Sequence, residues 1–365
     1  MELRARGEKS RMEFREAESL ISGYDDAGNQ VATWNLAHML QEINGAPASE
    51  HAGIVSRFAD AMRSIGSIPP KDYAQVRSSL RILMKDDAFP WFTEMVNRQD
   101  MPRVPQSELV FRLVAPGLIA CCVRHTDRSL QFVTQSDLHT WEVPASRALD
   151  DAIANIRALD FEIGECDGNR FFNAPDSFIA ARLLCEEQIR ALPLKGAPVA
   201  VLPDRDTLFF SGSEDEEGLQ RLVNVIGNQR TNATRHVIGR PLVLTVNGWQ
   251  VFDPPEALRV AFGDQARLFD AMYWTDYRKH LVKQIETEGK DLFVAELSVY
   301  EMEGSGEYYT AITWSRDVDS ILPPADLIHF YDPIDDTFTS RPGIERGLRW
   351  VMPYASIREF LPCTE

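Results

Sequence analysis

The sequence lacks several features on which whole classes of protein depend. Five cysteines occur, at positions 121, 122, 166, 185 and 363, and no two of them form a CxxC pair. This spacing indicates neither a zinc ribbon nor a disulfide framework. No run of about 18 apolar residues is present, so no transmembrane helix is expected. The charged N-terminal residues lack the apolar segment of a signal peptide, and the expected location is the cytoplasm.

The sequence also has few positively charged residues relative to negatively charged ones. The chain has 38 Lys and Arg against 55 Asp and Glu, a net charge of −17, and no dense basic run. Nucleic acids and anionic membranes are bound through clusters of Lys and Arg, so neither is expected as a partner. A basic partner protein is compatible with this charge, and so is a simple role in solubility.

The common catalytic and phosphate-binding motifs are missing. The sequence contains no GxSxG, GxGxxG, GxxxxGK[ST] or HExxH, and its seven histidines include no HxH pair. No cofactor and no metal site are therefore predicted. His236, near Arg235 and Arg240, is placed to help hold an anion, although a surface loop is the favoured interpretation.

An apolar content of 44% is ordinary for a globular protein. The clearest pattern lies between Asn173 and Ile226, where a helix over 176–192 is followed by strands at 199–202 and 207–210. Ser213–Glu216 matches a capping box and predicts the start of a second helix. Short strands separated by turns favour an α+β fold class.

Three regions are predicted. Residues 1–101 read as mostly helical, with helices expected within 1–20 and over 73–84. Residues 102–253 read as a central mixed domain with mainly antiparallel strands, and 254–365 as a C-terminal α+β segment.

Two patterns near the second boundary are particularly distinct. Asn247–Gly248 between apolar runs at 242–246 and 249–252 is the strongest hairpin signal in the chain. Apolar residues over 264–288 recur at helical spacing and predict a long amphipathic helix.

The most suggestive polar cluster is Asp204–Arg205–Asp206, between two predicted strands. Two carboxylates that flank a guanidinium could hold a metal or combine acid–base catalysis with an anion clamp. The alternative is a turn whose charges pair with one another and cap backbone groups. Asp332, Asp335 and Asp336 follow a predicted strand and could bind a hard cation, but a solvated turn is favoured.

Aromatic residues are dense in the C-terminal region. Tyr and Trp are over-represented at binding hot spots, although they are also common at the edges of cores. The residues predicted to bind a partner are Tyr273, Trp274, Tyr277, Tyr308 and Trp314, and Tyr300 and Tyr309 add to the same density.

Several of these segments together resemble a known family. They are Trp34-Asn-Leu, the 148–159 helix with Asn155, Asp176-Ser177 and above all Val199-Ala-Val-Leu-Pro-Asp-Arg-Asp206. In these four segments the chain resembles the YtpQ-like bacterial family of unknown function. The resemblance covers roughly residues 30–252 and implies a bacterial, intracellular protein. It implies no activity, cofactor or catalytic residue.

Two functional hypotheses follow. The first is a non-catalytic protein-interaction protein, such as an adaptor, immunity or defence-type protein, that acts through an acidic surface or the aromatic C-terminal region. The alternative is a hydrolase that acts on a phosphate-containing or other anionic substrate through Asp204, Arg205 and Asp206.

Overall fold

A computed structural model describes residues 11–16, 19–24, 28, 30–64, 70–100, 107–126, 130–233 and 235–342. The chain divides into two compact units. One unit comprises Met1–Ile82, Val96–Phe111 and Cys121–Asn155, and the other comprises Leu83–Met95, Arg112–Ala120 and Ile156–Glu365. The domain boundaries predicted at residues 102 and 254 stay predictions.

The described residues contain nine α-helices. They are α1 Ala37–Gly45, α2 His51–Ser64, α3 Tyr73–Val76, α4 Phe89–Asp100, α5 Gln135–Trp141, α6 Ala145–Arg157, α7 Glu186–Arg190, α8 Glu216–Asn232 and α9 Glu256–Glu288. Two 3-10 helices, Arg77–Ser79 and Ala180–Leu184, precede β4 and α7.

The same residues contain nineteen strands. They are β1 Arg11–Arg15, β2 Leu20–Tyr24, β3 Gln30–Asn35, β4 Leu80–Asp86, β5 Phe111–Ala115, β6 Leu118–His125, β7 Leu130–Phe132, β8 Glu162–Cys166, β9 Asn169–Asn173, β10 Pro198–Val201, β11 Phe209–Gly212, β12 Leu242–Thr245, β13 Gly248–Val251, β14 Phe293–Val294, β15 Ser298–Glu301, β16 Tyr308–Ser315, β17 Ser320–Ile321, β18 Leu327–Asp332 and β19 Thr337–Pro342.

These strands form five sheets. A three-stranded sheet has the order β1-β2-β3, and a six-stranded antiparallel sheet has the order β13-β12-β10-β11-β9-β8. A third sheet has the order β4-β6-β5, with β7 paired to β6. In the C-terminal region, β14 pairs with β17, and β15-β16-β18-β19 form a four-stranded sheet. Helices and largely antiparallel sheets together confirm the predicted α+β class.

The prediction of a helix within residues 1–20 is wrong over Arg11–Arg15. These residues form β1, which pairs with β2 in an antiparallel register, and the residues before 11 lie outside the described chain. Met12 packs against a small core around Leu36 and Ala59. The many charged residues of 1–20 suggest a solvated helix. Within β1, Met12 and Phe14 alternate with charged residues at the two-residue period of a strand, but the alternation covers only five residues.

The helix predicted over 73–84 is correct only at its beginning. Asp72 caps α3 by accepting a hydrogen bond from the backbone N–H of Ala74 at 2.9 Å. The amide of Asn155 donates to the carbonyls of Arg77 and Leu80 at 2.8 and 3.0 Å, where the helical segment ends. The next residues form the buried strand β4, so tertiary contacts override local helical propensity here.

The central stretch forms the predicted elements with two corrections. Residues 180–190 form a 3-10 helix and a short α-helix rather than one helix over 176–192, because the N–H of Ala180 donates to the carbonyl of Arg205 at 3.0 Å. Helix α8 begins two residues later than the predicted capping box: Asp215 rather than Ser213 is its N-cap, while the Ser213 hydroxyl accepts from the N–H of Ala197. The predicted 242–252 hairpin is confirmed, with Gly248 at φ +92° in its turn.

Helix α9 is the longest element and packs against two cores of the second unit. Its 33 residues span about 50 Å. Its first half packs against strand β10 and helix α8 through Leu258, Phe262 and Phe269. Its second half packs against β14 and the four-stranded sheet through Trp274, Leu281 and Ile285. The long helix predicted over 264–288 is thus confirmed, and it begins eight residues earlier.

Arg182 is a fully buried cation in the 3-10 helix Ala180–Leu184. Its guanidinium donates to both carboxylate oxygens of Asp176 at 2.7 and 2.9 Å and to the carbonyl of Asp160 at 3.0 Å. Asp176 also accepts from the N–H of Phe178 at 2.8 Å. One carboxylate therefore both neutralises the buried charge and accepts a backbone hydrogen bond in the segment that precedes the 3-10 helix.

We expect Asp176→Ala to lower the free energy of unfolding by about 3–5 kcal/mol, because it leaves the Arg182 charge buried and without its counterion. Urea unfolding followed by circular dichroism measures the loss. The matched control is Glu186→Ala, which removes a half-exposed ion pair to Arg190 and should cost less than about 1 kcal/mol. Similar losses in the two variants would contradict this assignment.

Candidate functional site

The loop that carries Asp204, Arg205 and Asp206 is fixed by backbone hydrogen bonds to a neighbouring segment. The N–H of Arg205 donates to the carbonyl of Arg235 at 3.0 Å, and the N–H of Val237 donates to the carbonyl of Pro203 at 2.9 Å. Asp204 and His236 form an isolated antiparallel bridge between these bonds. The loop is therefore a short two-stranded element of defined register.

Asp204 serves this turn. Its side chain is buried, with 5% of its surface exposed, and its Oδ1 accepts from the N–H of Asp206 at 2.8 Å. Burial raises the pKa of Asp204, although the hydrogen bond from the Asp206 backbone acts in the opposite direction. A carboxylate held in this way caps the backbone and is hardly accessible to a substrate.

Asp206 is half-exposed and lies close to two guanidinium groups. The Nε of Arg205 is 3.5 Å from Oδ1 of Asp206, and a guanidinium nitrogen of Arg235 is 3.8 Å from Oδ2 of the same carboxylate. The structure thus brings Arg205 and Asp206 together with Arg235 and keeps the Asp204 carboxylate buried. The catalytic role predicted for the three residues stays a prediction that this geometry does not favour.

Three of the aromatic residues predicted to bind a partner lie on α9 and are committed to contacts inside the second unit. Trp274 and Tyr277 are buried. The indole N–H of Trp274 donates to the carbonyl of Ala295 at 2.9 Å, and the hydroxyl of Tyr273 donates to the carbonyl of Val237 at 3.0 Å. Because packing and hydrogen bonds occupy these three side chains, they are poorly placed to bind a partner.

The other two predicted binding residues lie on β16. Tyr308 is half-buried, and its backbone N–H donates to the carboxylate of Asp264 at 3.1 Å. Trp314 is exposed, lies against the ring of Phe330 and donates from its indole N–H to the carbonyl of Val318 at 3.2 Å. Of the five residues, Trp314 therefore offers the most surface.

The four-stranded sheet has a core face and an outer face. Residues directly opposite each other in a sheet share a face, and side chains alternate along each strand. Ile312 and Ile328 pack with Trp274 and Leu281 of α9, so their side defines the core face. Tyr300 and Tyr309, which pair across β15 and β16, lie on the opposite, outer face.

Two stacked aromatic pairs occupy the ends of this outer face. Tyr300 stacks on Tyr309 with ring centroids 5.4 Å apart, and Tyr331 stacks on Phe338 with centroids 4.7 Å apart. Tyr300 is 47% exposed and Phe338 is 64% exposed. The pairs are separated by six residues along β16, or roughly 20 Å.

Acidic turns lie beside both aromatic pairs. The β15–β16 turn carries Glu301, Glu303 and Glu307, and the β18–β19 turn carries Asp335 and Asp336. Between residues 300 and 338 the sequence has nine carboxylates and one arginine, a net charge of −8 out of the −17 of the whole chain. The outer face is therefore an aromatic surface with an acidic turn at each end, in a chain segment of net charge −8.

The region around the predicted cation ligands is a charged turn. Asp332 pairs with Arg316 at 2.8 Å and accepts from the N–H of Ile334 at 3.0 Å. The described residues contain no group of three His, Cys, Asp or Glu side chains placed to hold a metal ion. Among the helices in the described ranges, none is both long enough and apolar enough to cross a bilayer.

The sequence reading missed a carboxylate–phenol pair in the second unit. The hydroxyl of Tyr277 donates to Oδ1 of Asp86 at 2.6 Å, and the adjacent Asp87 accepts from the N–H of Gly117 at 3.2 Å. Burial raises the pKa of Asp86 to about 6, against the lowering effects of the Tyr277 hydrogen bond and of Lys85. The missed signal was the pair of aspartates at the end of a strand, which the predicted 73–84 helix obscured.

Comparisons with protein-family models, with curated proteins and with solved structures found no match. The resemblance to the YtpQ-like family stays a prediction.

We expect the Asp86 carboxyl to make stability depend on pH in the range between about 4 and 6. Its native pKa lies above the value of about 3.9 in an unfolded chain, so the folded protein binds more protons in this range. Stability therefore falls as pH rises through the range, and the cost above pH 6 is on the order of 3 kcal/mol.

Asp86→Asn keeps an acceptor oxygen for Tyr277 and removes the titration. Urea unfolding at several pH values measures the unfolding free energy of both proteins. The value for the variant minus the value for the wild-type protein should increase from pH 4 to pH 6 and then level off, because only the wild-type protein loses stability over this range. A difference that stays constant across this range would contradict the raised pKa.

Proposed function

We propose that the protein is a non-catalytic protein-interaction protein that binds a basic partner across the outer face of the sheet β15-β16-β18-β19. The observation that carries the proposal is the pair of exposed aromatic stacks, Tyr300–Tyr309 and Tyr331–Phe338, on the side opposite the core. If these aromatic residues served only to pack a core, they would lie on the side of the sheet that contacts α9.

The charge of the region defines the kind of partner. Arginine and lysine side chains are attracted to the faces of tyrosine and phenylalanine rings and to nearby carboxylates. Each end of the outer face combines an aromatic stack with an acidic turn, so both attractions are available at two places roughly 20 Å apart. An extended Arg- or Lys-rich segment of a partner protein matches this arrangement in length and charge.

The predicted hydrolase alternative receives less support. The Asp204 carboxylate is buried and caps the turn, so it is poorly placed to act as an acid or base on a substrate.

We expect the double variant Tyr300→Ala/Phe338→Ala to bind a labelled arginine-rich peptide at least roughly tenfold more weakly than the wild-type protein, since each cation–aromatic contact contributes about 0.5–2 kcal/mol. Fluorescence anisotropy at low ionic strength measures the affinity. Both side chains are well exposed, so the fold should be retained, as thermal unfolding can check.

Phe14→Ala is the matched control, because Phe14 is an equally exposed aromatic residue on a strand of another sheet. It should leave the affinity unchanged. Equal binding by the double variant and the wild-type protein, or equal binding of a glutamate-rich peptide, would refute the proposal.

A further inference from the structure

Arg205 and Arg235 lie directly opposite each other in a short antiparallel pairing. The bridge between Asp204 and His236 fixes the register, and the hydrogen bond from the N–H of Arg205 to the carbonyl of Arg235 continues it. The carbonyl of Arg205 in turn accepts from the N–H of Ala180 at 3.0 Å. The backbone of Arg205 is thus held at both of its polar groups, and the two guanidinium groups start from fixed neighbouring positions.

Two like charges at opposed positions are unfavourable without a counterion. The carboxylate that lies between them belongs to Asp206, which is half-exposed and lies 3.5 and 3.8 Å from the two guanidinium groups. Charge-assisted hydrogen bonds between guanidinium and carboxylate groups are usually about 2.7–2.9 Å long. Asp206 therefore compensates both cations only loosely.

Arg205 is the less accessible of the two cations. Its side chain is 14% exposed, and among the described residues its buried Nε–H has no hydrogen-bond acceptor. Burial, followed by the proximity of Arg235, lowers the pKa of Arg205. A buried donor that lacks an acceptor is costly, and an oxyanion would supply several acceptors at once.

The geometry points to a binding site for a phosphate monoester at Arg205 and Arg235, with the Asp206 carboxylate as an internal competitor. Two guanidinium groups carry the charge that matches a dianionic phosphate, and their planar sets of N–H donors match its oxygens. Arg235 is 37% exposed, so a ligand can approach from solvent. The site is distinct from the outer face of the four-stranded sheet and does not depend on the proposed function.

Arg240, in the same unit, forms a close ion pair with a carboxylate. Arg240 is also 37% exposed, but its guanidinium lies 2.5 Å from Oδ2 of Asp270, a contact that includes a hydrogen bond. Arg240 is therefore a control of matched exposure whose charge is already compensated.

The test is isothermal titration calorimetry of the intact protein with phosphoserine and with inorganic phosphate, with serine and added sodium chloride as controls. We expect saturable binding of phosphoserine, roughly tenfold or more weaker in Arg235→Gln, because a charge-assisted contact is lost. Asp206→Asn should bind several-fold more tightly, because the competing carboxylate becomes neutral. Tighter binding of phosphoserine than of inorganic phosphate supports an ester rather than the free ion.

Arg240→Gln should bind as the wild-type protein does. Arg205→Gln is omitted because the loss of a largely buried side chain can unfold the loop, whereas Arg235 and Asp206 are accessible enough to replace. Absence of saturable phosphoserine binding, an equal loss in Arg235→Gln and Arg240→Gln, or weaker binding by Asp206→Asn would each overturn the inference.

Discussion

The burial of helix α9 in two cores is the constraint on which the second unit depends. A helix of about 50 Å is too long to be covered by a single small core, and its two halves present apolar residues to different partners. The first half covers β10 and α8, while the second half covers one side of the four-stranded sheet. The side of that sheet in contact with α9 is the core face. The aromatic residues on the opposite side of the sheet are exposed to solvent or to a partner.

Buried charged groups in the second unit are held by partners from the same unit. Arg182 is tolerated as a fully buried cation because Asp176 and a backbone carbonyl accept its hydrogen bonds. Tyr277 reaches from α9 to Asp86 and fixes the helix to the end of β4. Arg205 differs from Arg182, since its contact with the Asp206 carboxylate is 3.5 Å long and that carboxylate is shared with Arg235. This looser compensation is the physical basis for assigning it an external anion.

The two proposed binding regions differ in charge, and each fits a different partner. The outer face of the four-stranded sheet lies in a segment of net charge −8, which favours a basic protein segment. Arg205 and Arg235 form a local positive pair in an acidic chain, which favours a small dianion over an extended polyanion because the rest of the surface repels the latter. The net charge of −17 therefore does not by itself predict the charge of the ligand at each proposed binding region.

Several features were determined by the sequence itself. Turn chemistry and residue spacing within one segment are enough to indicate the 242–252 hairpin, helix α8 and the long C-terminal helix, and each of the three was predicted. β1 and β4 were mistaken for helices, because their period becomes evident only against a packing partner. Phe338, which is exposed, was not among the predicted aromatic residues. The aromatic residues from Tyr273 to Trp314 were predicted as one group, but Trp274 and Tyr277 are core while Tyr300 is surface. Only tertiary structure decided this, because the face of a strand or helix that is buried is set by the position of elements far away in the sequence, here above all by α9.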